Sequence, residues 1–365
     1  MIETLHIRGY RSLYDVELTN LGQVNILLGA GNSGKTSLLE AVFLFCSNGD
    51  PTLLYKGLGL RRITLGSQTP EHTVTQLDWC QSRGTPSNGF TITGKWNSID
   101  RHVEFQRLSM PHILRLRPDP PDGKPEQKAL NGGPAFAGYT LLTRENEKTH
   151  LGQFFVTPTG FEGHAAGVQN LRGRFVPPIQ EDPTLGLANT WSEVEARREK
   201  DKVLELLRTL DPGIMNIGVA ADQANRAFLR LDHSAFGLMP LEAQGAGFAK
   251  ALSLAGHTVA AEDGVLLADE FDASLHPGAQ KRIVQFVLEA AHRHRVQLFI
   301  ATHSLETLDH FLDGFDARKA LWSRPDDLCV IQLKRIKDHT EAKRLDADSV
   351  RIRREELGLD LRHTS

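Results

Sequence analysis

The stretch VNILLGAGNSGKTSLLEAVFLF, Val24 to Phe45, decides how the rest of the chain is read. Its first five residues form a nearly continuous apolar run, the pattern of a strand buried on both faces. The next eight, Gly29 to Thr36, match G-x-x-x-x-G-K-[ST] at every fixed position. Apolar residues then recur at Leu38, Leu39, Ala41, Val42, Leu44 and Phe45, which is helical spacing. Strand, glycine turn and helix together suit a phosphate group. Glycines let backbone N–H groups approach the anion closely, and the helix presents its positive dipole end. Lys35 supplies a cation for the β- and γ-phosphates, and Thr36 a hydroxyl for Mg2+. The predicted nucleotide-binding residues are Gly29, Ala30, Gly31, Asn32, Ser33, Gly34, Lys35, Thr36 and Ser37.

A second stretch, GVLLADEFDASLHPG, places two acids at the end of another apolar run. Side by side, Asp269 and Glu270 repel each other unless a cation lies nearby, and a phosphate loop in the same chain implies one. Asp269 is expected to hold Mg2+ together with Thr36, and Glu270 to accept a proton from the attacking water. Thirty-three residues beyond Glu270, the run LFIATHS ends at His303, which as a neutral ring is suited to hydrogen-bond the γ-phosphate and that water. Glu270 and His303 are thus the candidate catalytic pair.

The 365 residues carry 42 basic and 45 acidic side chains, a net charge of −3 that neither demands nor excludes nucleic acid. No apolar run is long enough to span a bilayer, and MIETLHIRGYRSL lacks the pattern of a signal peptide. Cys46, Cys80 and Cys329 lie far apart with no C-x-x-C spacing, as expected of a cytoplasmic protein without disulfides or structural zinc. Alternating strands are predicted at FTITGKW, HVEFQRL, HILRLR, YTLLTR and QFFVTP, with a mobile loop over Arg117 to Pro134. A helix is expected from TWSEVEARREKDKVLELLRTLDPG, with Ser192 and Glu195 at capping-box spacing. Strands IMNIGVA and RAFLRLD follow, then a small-residue helix over GAGFAKALSLAGHTVAA and an amphipathic helix from Pro277. Its closing His292–His294 run reads as structural, cations at a helix C-terminus.

In this order the segments GAGNSGKT, QGAGFAKAL, GVLLADE, ASLHP and FIATHS resemble the heads of ABC-class ATPases. The opening LHIRGYRSLYDVEL and the stretch VLELLRTLDPGIMNIGV are similar to those of the OLD-like and SMC-like group, which acts in DNA repair and phage defence. The resemblance covers roughly residues 1–45 and 190–310. It implies an α/β P-loop fold with a mixed sheet flanked by helices and a β-rich plus helical insertion. One head would span 1–365, with a core from about 1–70 and 238–340, an accessory lobe at about 71–237 and a short tail at 341–365.

The same resemblance implies that ATP is sandwiched between the phosphate loop of one head and the signature of another. Ala243, Gln244, Gly245, Ala246 and Gly247 stand at the signature, with alanine where the group carries serine. Asp272 and Ser274 fall in the D-loop, the segment that reaches across the dimer. Gln68, Gln76 and Gln81 are equal candidates for the Mg2+-sensing glutamine, and Arg11 and Ser12 either line the nucleotide or are ordinary strand-end residues. About 55 residues follow ATHSLETLDHF, too few for the acidic nuclease domain of OLD-family enzymes. The expected function is an ATP-driven switch working as a homodimer or higher oligomer with a separately encoded nuclease or toxin, away from membranes, with DNA a further candidate partner. The alternative is a scaffold that binds ATP, turns it over slowly and holds a partner toxin.

Overall fold

The computed structural model describes residues 1–46, 69–82, 89–108, 136–157, 160–164, 173–178, 183–322, 327–356 and 358–362. The expected Arg117–Pro134 loop, the HILRLR strand and Gln68 lie outside the described residues.

Among the described residues, three sheets organise the chain. The first strands, β1 (Ile2–Tyr10) and β2 (Leu13–Leu18), form a hairpin, and the apolar run of the phosphate loop is β3 (Val24–Leu28). A meander follows: β4 (Gly89–Trp96), β5 (Ile99–Arg107), β6 (Ala137–Glu145), β7 (Lys148–Thr157) and β8 (Gly160–His164). It pairs with β1 to give a seven-stranded antiparallel sheet in the order β2-β1-β4-β5-β6-β7-β8. Phe90, Phe105, Tyr139 and Phe154 stack along its inner face.

The second sheet is built from distant parts of the chain. Strand β9 (Gly173–Val176) comes from the middle, and β10 (Ile214–Ala221), β11 (Ala227–His233) and β12 (Gly237–Pro240) form a separate three-stranded sheet. The remaining strands are β13 (Val265–Ala268), β14 (Gln297–Thr302), β15 (Leu328–Ile336) and β16 (His339–Asp346). The six-stranded order is β16-β15-β3-β14-β13-β9, parallel except for the β16 edge. β3 thus lies between β14 and β15, and β14 separates it from β13. The continuous apolar runs are explained by burial on both faces. Val24, Ile26, Leu28, Leu266, Leu298 and Ile300 face one core. Their neighbours Leu27, Val265, Leu267, Phe299 and Ala301 face the other, shared with the antiparallel sheet.

Eight helices are described: α1 (Lys35–Phe45), α2 (Pro70–Asp78), α3 (Pro183–Ala196), α4 (Lys200–Arg208), α5 (Ala246–Ala260), α6 (Pro277–Arg293), α7 (Leu305–Asp316) and α8 (Ala347–Arg351). α1 packs between the two large sheets, while α3 to α7 cover the opposite face of the parallel sheet. None is long and apolar enough to cross a membrane.

The single helix expected from TWSEVEARREKDKVLELLRTL is two helices. α3 begins upstream because Leu187, Ala188, Trp191 and Val194 already form a buried face. Ser192 is therefore not a cap: its hydroxyl donates to Ala188 O at 3.1 Å inside the helix. The break falls at Arg198, in the left-handed region at φ 59°. His292–His294 close α6 as expected, with Arg293 paired to Glu199 at 2.8 Å and His292 edge-on to Trp322.

Candidate nucleotide-binding site

β3 delivers the chain into the glycine loop, and two of its glycines have no alternative. Gly34 sits at φ 99°, and a Cβ there would lie 2.7 Å from Thr340 Oγ1. A Cβ at Gly29 would lie 2.4 Å from the Leu333 carbonyl oxygen. The loop is thus clasped by the β15–β16 hairpin, which Ser12 also joins through a 2.9 Å bond to Thr340. Lys35, nearly buried, folds back over the loop and donates to Gly29 O at 2.8 Å and Ala30 O at 2.9 Å. Burial pulls its pKa below the ordinary amine value, while Asp269, Glu270 and Asp272 oppose that shift.

Strands β3, β14 and β13 end side by side, which assembles the rest. Thr36 Oγ1 donates to Asp269 Oδ2 at 2.7 Å, joining the first turn of α1 to the end of β13. The other carboxylate oxygen of Asp269 accepts from the Glu270 amide at 3.1 Å. Glu270 is exposed and left-handed at φ 41°, so its side chain turns out of the strand line. A hydroxyl and a carboxylate in contact are the hard oxygen donors that Mg2+ takes, so Thr36 and Asp269 fit that ion. His303 is exposed one residue past β14.

Thr302, just before it, was not singled out in the sequence, although a hydroxyl closing an apolar strand was the available signal. Its Oγ1 donates to Asp272 at 2.5 Å and accepts from the Ser304 amide at 3.0 Å. The first residues of the D-loop are therefore held to β14, and Phe271 N donates to Ala301 O at 3.0 Å. Ser274, further along, is exposed and left-handed at φ 65°.

The expected signature stretch meets the expected D-loop, Gly247 lying against Ser274. Leu241–Ala243 form a short 3-10 turn, Gly245 caps α5, and Gln244 Nε2 donates to Asp211 Oδ2 at 3.1 Å. Gly245 and Ala246 are exposed, and nothing lies within 4 Å of where a Gly245 Cβ would be. No side chain caps the N-terminus of α5. A cleft of about 570 Å³ runs from Asp211 and Gly245 past Ser274 to Arg282.

Arg11 is committed elsewhere: its Nε pairs with the buried Glu40 of α1 at 2.9 Å. Gln76 lies on α2, and Gln81 bridges to Tyr10 at the end of β1, beside the Arg11 turn.

A parallel sheet in which β3 carries the phosphate loop, β13 the paired acids and the strand between them a terminal histidine defines a P-loop head of the ABC type. Comparison with known proteins found the following likenesses. A family model described as "AAA domain, putative AbiEii toxin, Type IV TA system" matches residues 191–309. The OLD nuclease of Thermus scotoductus is 22% identical over 362 residues, covering 93% of this chain and 65% of that protein. The uncharacterized protein MJECL10 of Methanocaldococcus jannaschii is 51% identical over 47 residues, covering 13% of this chain and 22% of that protein. The chain thus spans less than two thirds of either relative. Among solved structures, an SMC head bound to the C-winged helix domain of ScpA aligns with a TM-score of 0.49 at 13% identity, covering 96% of this chain and 99% of that one. The chain is thus similar to OLD-like ABC-class ATPases.

Proposed function

We propose that this chain is a Mg2+-dependent ATPase head that closes on a second copy of itself when ATP is bound and opens on hydrolysis. The supporting observation is the 2.7 Å contact between Thr36 and Asp269, which couples the phosphate loop to the acid pair. Lys35 and the loop amides would bind the phosphates, and Thr36 and Asp269 would hold the metal. Mg2+ would neutralise charge developing on the transferred phosphoryl group. Glu270 would take the proton of the attacking water, and His303 would orient that water from the neighbouring strand.

In this reading the signature residues Ala243 to Gly247 and the D-loop residues Asp272 and Ser274 serve the nucleotide of the second head. The exposed, uncapped N-terminus of α5 supports it, because its unpaired amides suit an incoming phosphate. The cycle would drive a separately encoded effector, a nuclease or toxin, in phage defence or DNA repair, with DNA a candidate ligand of the assembly. The toxin-system family description and the OLD nuclease relative support that direction.

Ala243 favours a second reading, an ATP-bound scaffold with slow turnover. It is exposed at the signature turn and offers a methyl group in place of serine's hydroxyl. One lost hydrogen bond of that kind costs about 0.5–1.5 kcal/mol. Light scattering on Glu270→Gln, with and without Mg·ATP, together with wild-type turnover, tests both. Doubling of the mass with ATP and measurable wild-type hydrolysis support the switch. An ATP-independent oligomer with negligible turnover supports the scaffold. Unchanged hydrolysis in Glu270→Gln overturns the role of Glu270.

A further inference from the structure

α5 is built almost entirely from small and apolar residues, AGFAKALSLAGHTVA, and the single lysine among them is buried. Lys250 Nζ donates to Pro177 O at 2.7 Å and to Asp269 O at 3.2 Å. Both carbonyls lie where β9 and β13 part company. The two strands are in register as far as Val176 and Ala268, and Asp269 N still donates to Val176 O at 3.0 Å. Beyond that point the ladder stops, and the ammonium supplies donors in its place. Burial pulls the Lys250 pKa down to about 8, against the opposing pull of Asp269, Glu270 and Asp272. The ammonium therefore sits in the field of the same three carboxylates that flank Lys35.

A buried ammonium is a poor choice for stability alone, since an apolar side chain of similar volume usually serves as well. Its position suggests another purpose. Lys250 is five residues beyond Gly245, on the helix whose first turn carries the signature. A second contact links the same helix to the D-loop at its exposed end, where Gly247 abuts Ser274. A shift of α5 must therefore move the backbone on both sides of Glu270.

We propose that Lys250 is a positioning residue that fixes the end of β13 to the signature helix, so that engagement of the signature by a second head sets the orientation of Glu270. The inference rests on the ATPase reading above.

The test is Lys250→Met compared with Lys250→Arg, which keeps the cation and its donors. Lys250→Met is expected to bind Mg·ATP with Kd within about threefold of wild type. Its kcat is expected to fall about 100-fold, the size of effect that a misplaced catalytic group produces. Lys250→Arg is expected to recover most of that loss. Wild-type kcat in Lys250→Met overturns the proposal, as does a loss confined to Kd. Should Lys250→Met not fold, Lys250→Gln, which keeps an amide donor without charge, takes its place with the same outcomes. Amide exchange separates this proposal from the ATPase reading. If the wild-type chain does not turn over Mg·ATP, the ATPase reading falls. Lys250 is then judged by whether its replacement raises exchange at Glu270 and Phe271 but not across Gly29–Thr36. Equal exchange at Glu270 and Phe271 overturns the positioning role.

Discussion

The Thr302 hydroxyl donates a 2.5 Å hydrogen bond to Asp272, so the strand that ends beside His303 and the loop that leaves Glu270 are tied together. The carboxylate makes this a charge-assisted bond, and such bonds contribute about 1.5–3 kcal/mol. Thr302→Val keeps the β-branched shape and removes both the donor to Asp272 and the acceptor for the Ser304 amide. It is expected to lower stability by that amount in urea unfolding and to reduce kcat more than ATP affinity. Wild-type stability and turnover in Thr302→Val would show that the link has no energetic weight.

Gly247 and Ser274 make the second close approach. A Cβ at residue 247 would lie 2.5 Å from the Ser274 carbonyl oxygen, and backbone cannot step aside as a side-chain tip can. Gly247→Ala is expected to cost about 1–3 kcal/mol, the usual range for overpacking. Because the clash lies between α5 and the D-loop, nucleotide binding by the isolated head should survive while ATP-dependent association fails. Isothermal titration with Mg·ATP and sedimentation of the same sample separate the two.

Lys35→Ala removes the cation from the loop and the donors to Gly29 O and Ala30 O. ATP binding is expected to drop below detection while the fold persists, since β3 and α1 are held by two separate cores. Nucleotide titration followed by circular dichroism checks both halves of this statement. A variant that binds ATP as wild type does would remove Lys35 from the site.

Gly34→Ala is expected to be more damaging to the fold. The left-handed φ of 99° and the Thr340 side chain both oppose a Cβ. Backbone strain of this sort costs about 1–3 kcal/mol. Thr340→Ala relieves the contact but not the dihedral, so the double variant should recover part of the loss in thermal unfolding and no more.

His257, inside α5, gives a pH dependence with a definite sign. Its Nδ1 donates to Ser253 O at 2.9 Å, and burial pulls its pKa from 6.5 down to about 4. The folded chain therefore holds it neutral while the unfolded chain takes up a proton as pH falls below 6.5. Stability from this group is complete above pH 6.5 and is lost towards pH 4. The loss is about 3 kcal/mol at most, less where the ring keeps some contact with solvent. Urea midpoints across that range should fall for wild type and fall less for His257→Gln.

The strand, glycine turn and helix around GAGNSGKT were legible because their requirements are local: an apolar strand, a glycine at each tight approach, and a helix that starts at the lysine. The acid pair and His303 could be read because each ends an apolar run. Relations between distant segments were not legible. Nothing in the four residues Gly173–Val176 announces an edge strand beside β13, and only the register with Val265–Ala268 makes them one. The break at Arg198 follows from a left-handed residue of a type that rarely adopts that conformation. Glu270 at φ 41° and Ser274 at φ 65° are likewise set by how β14 and α5 hold the loop between them. Lys250 left a trace, one charge in a helix of alanines, leucines and glycines, but a lone lysine on a helix ordinarily means a solvated face.

The order of the parallel sheet bears on how the molecule is made. β3 emerges early, yet both of its neighbours, β14 and β15, lie more than 260 residues further along the chain. Even the N-terminal strand waits for them: Gln297 accepts from Ile2 N at 2.7 Å and donates to Ile2 O at 2.8 Å. During synthesis, then, the strand that carries the glycine loop has no sheet to join until β14 and β15 have left the ribosome. Its apolar faces must be shielded over that interval, since pairing between such distant segments is slow and leaves strand edges open to other chains. The glycine loop cannot take its shape before those strands are made, and a chain truncated before β14 carries the complete GAGNSGKT sequence without the strands that hold it.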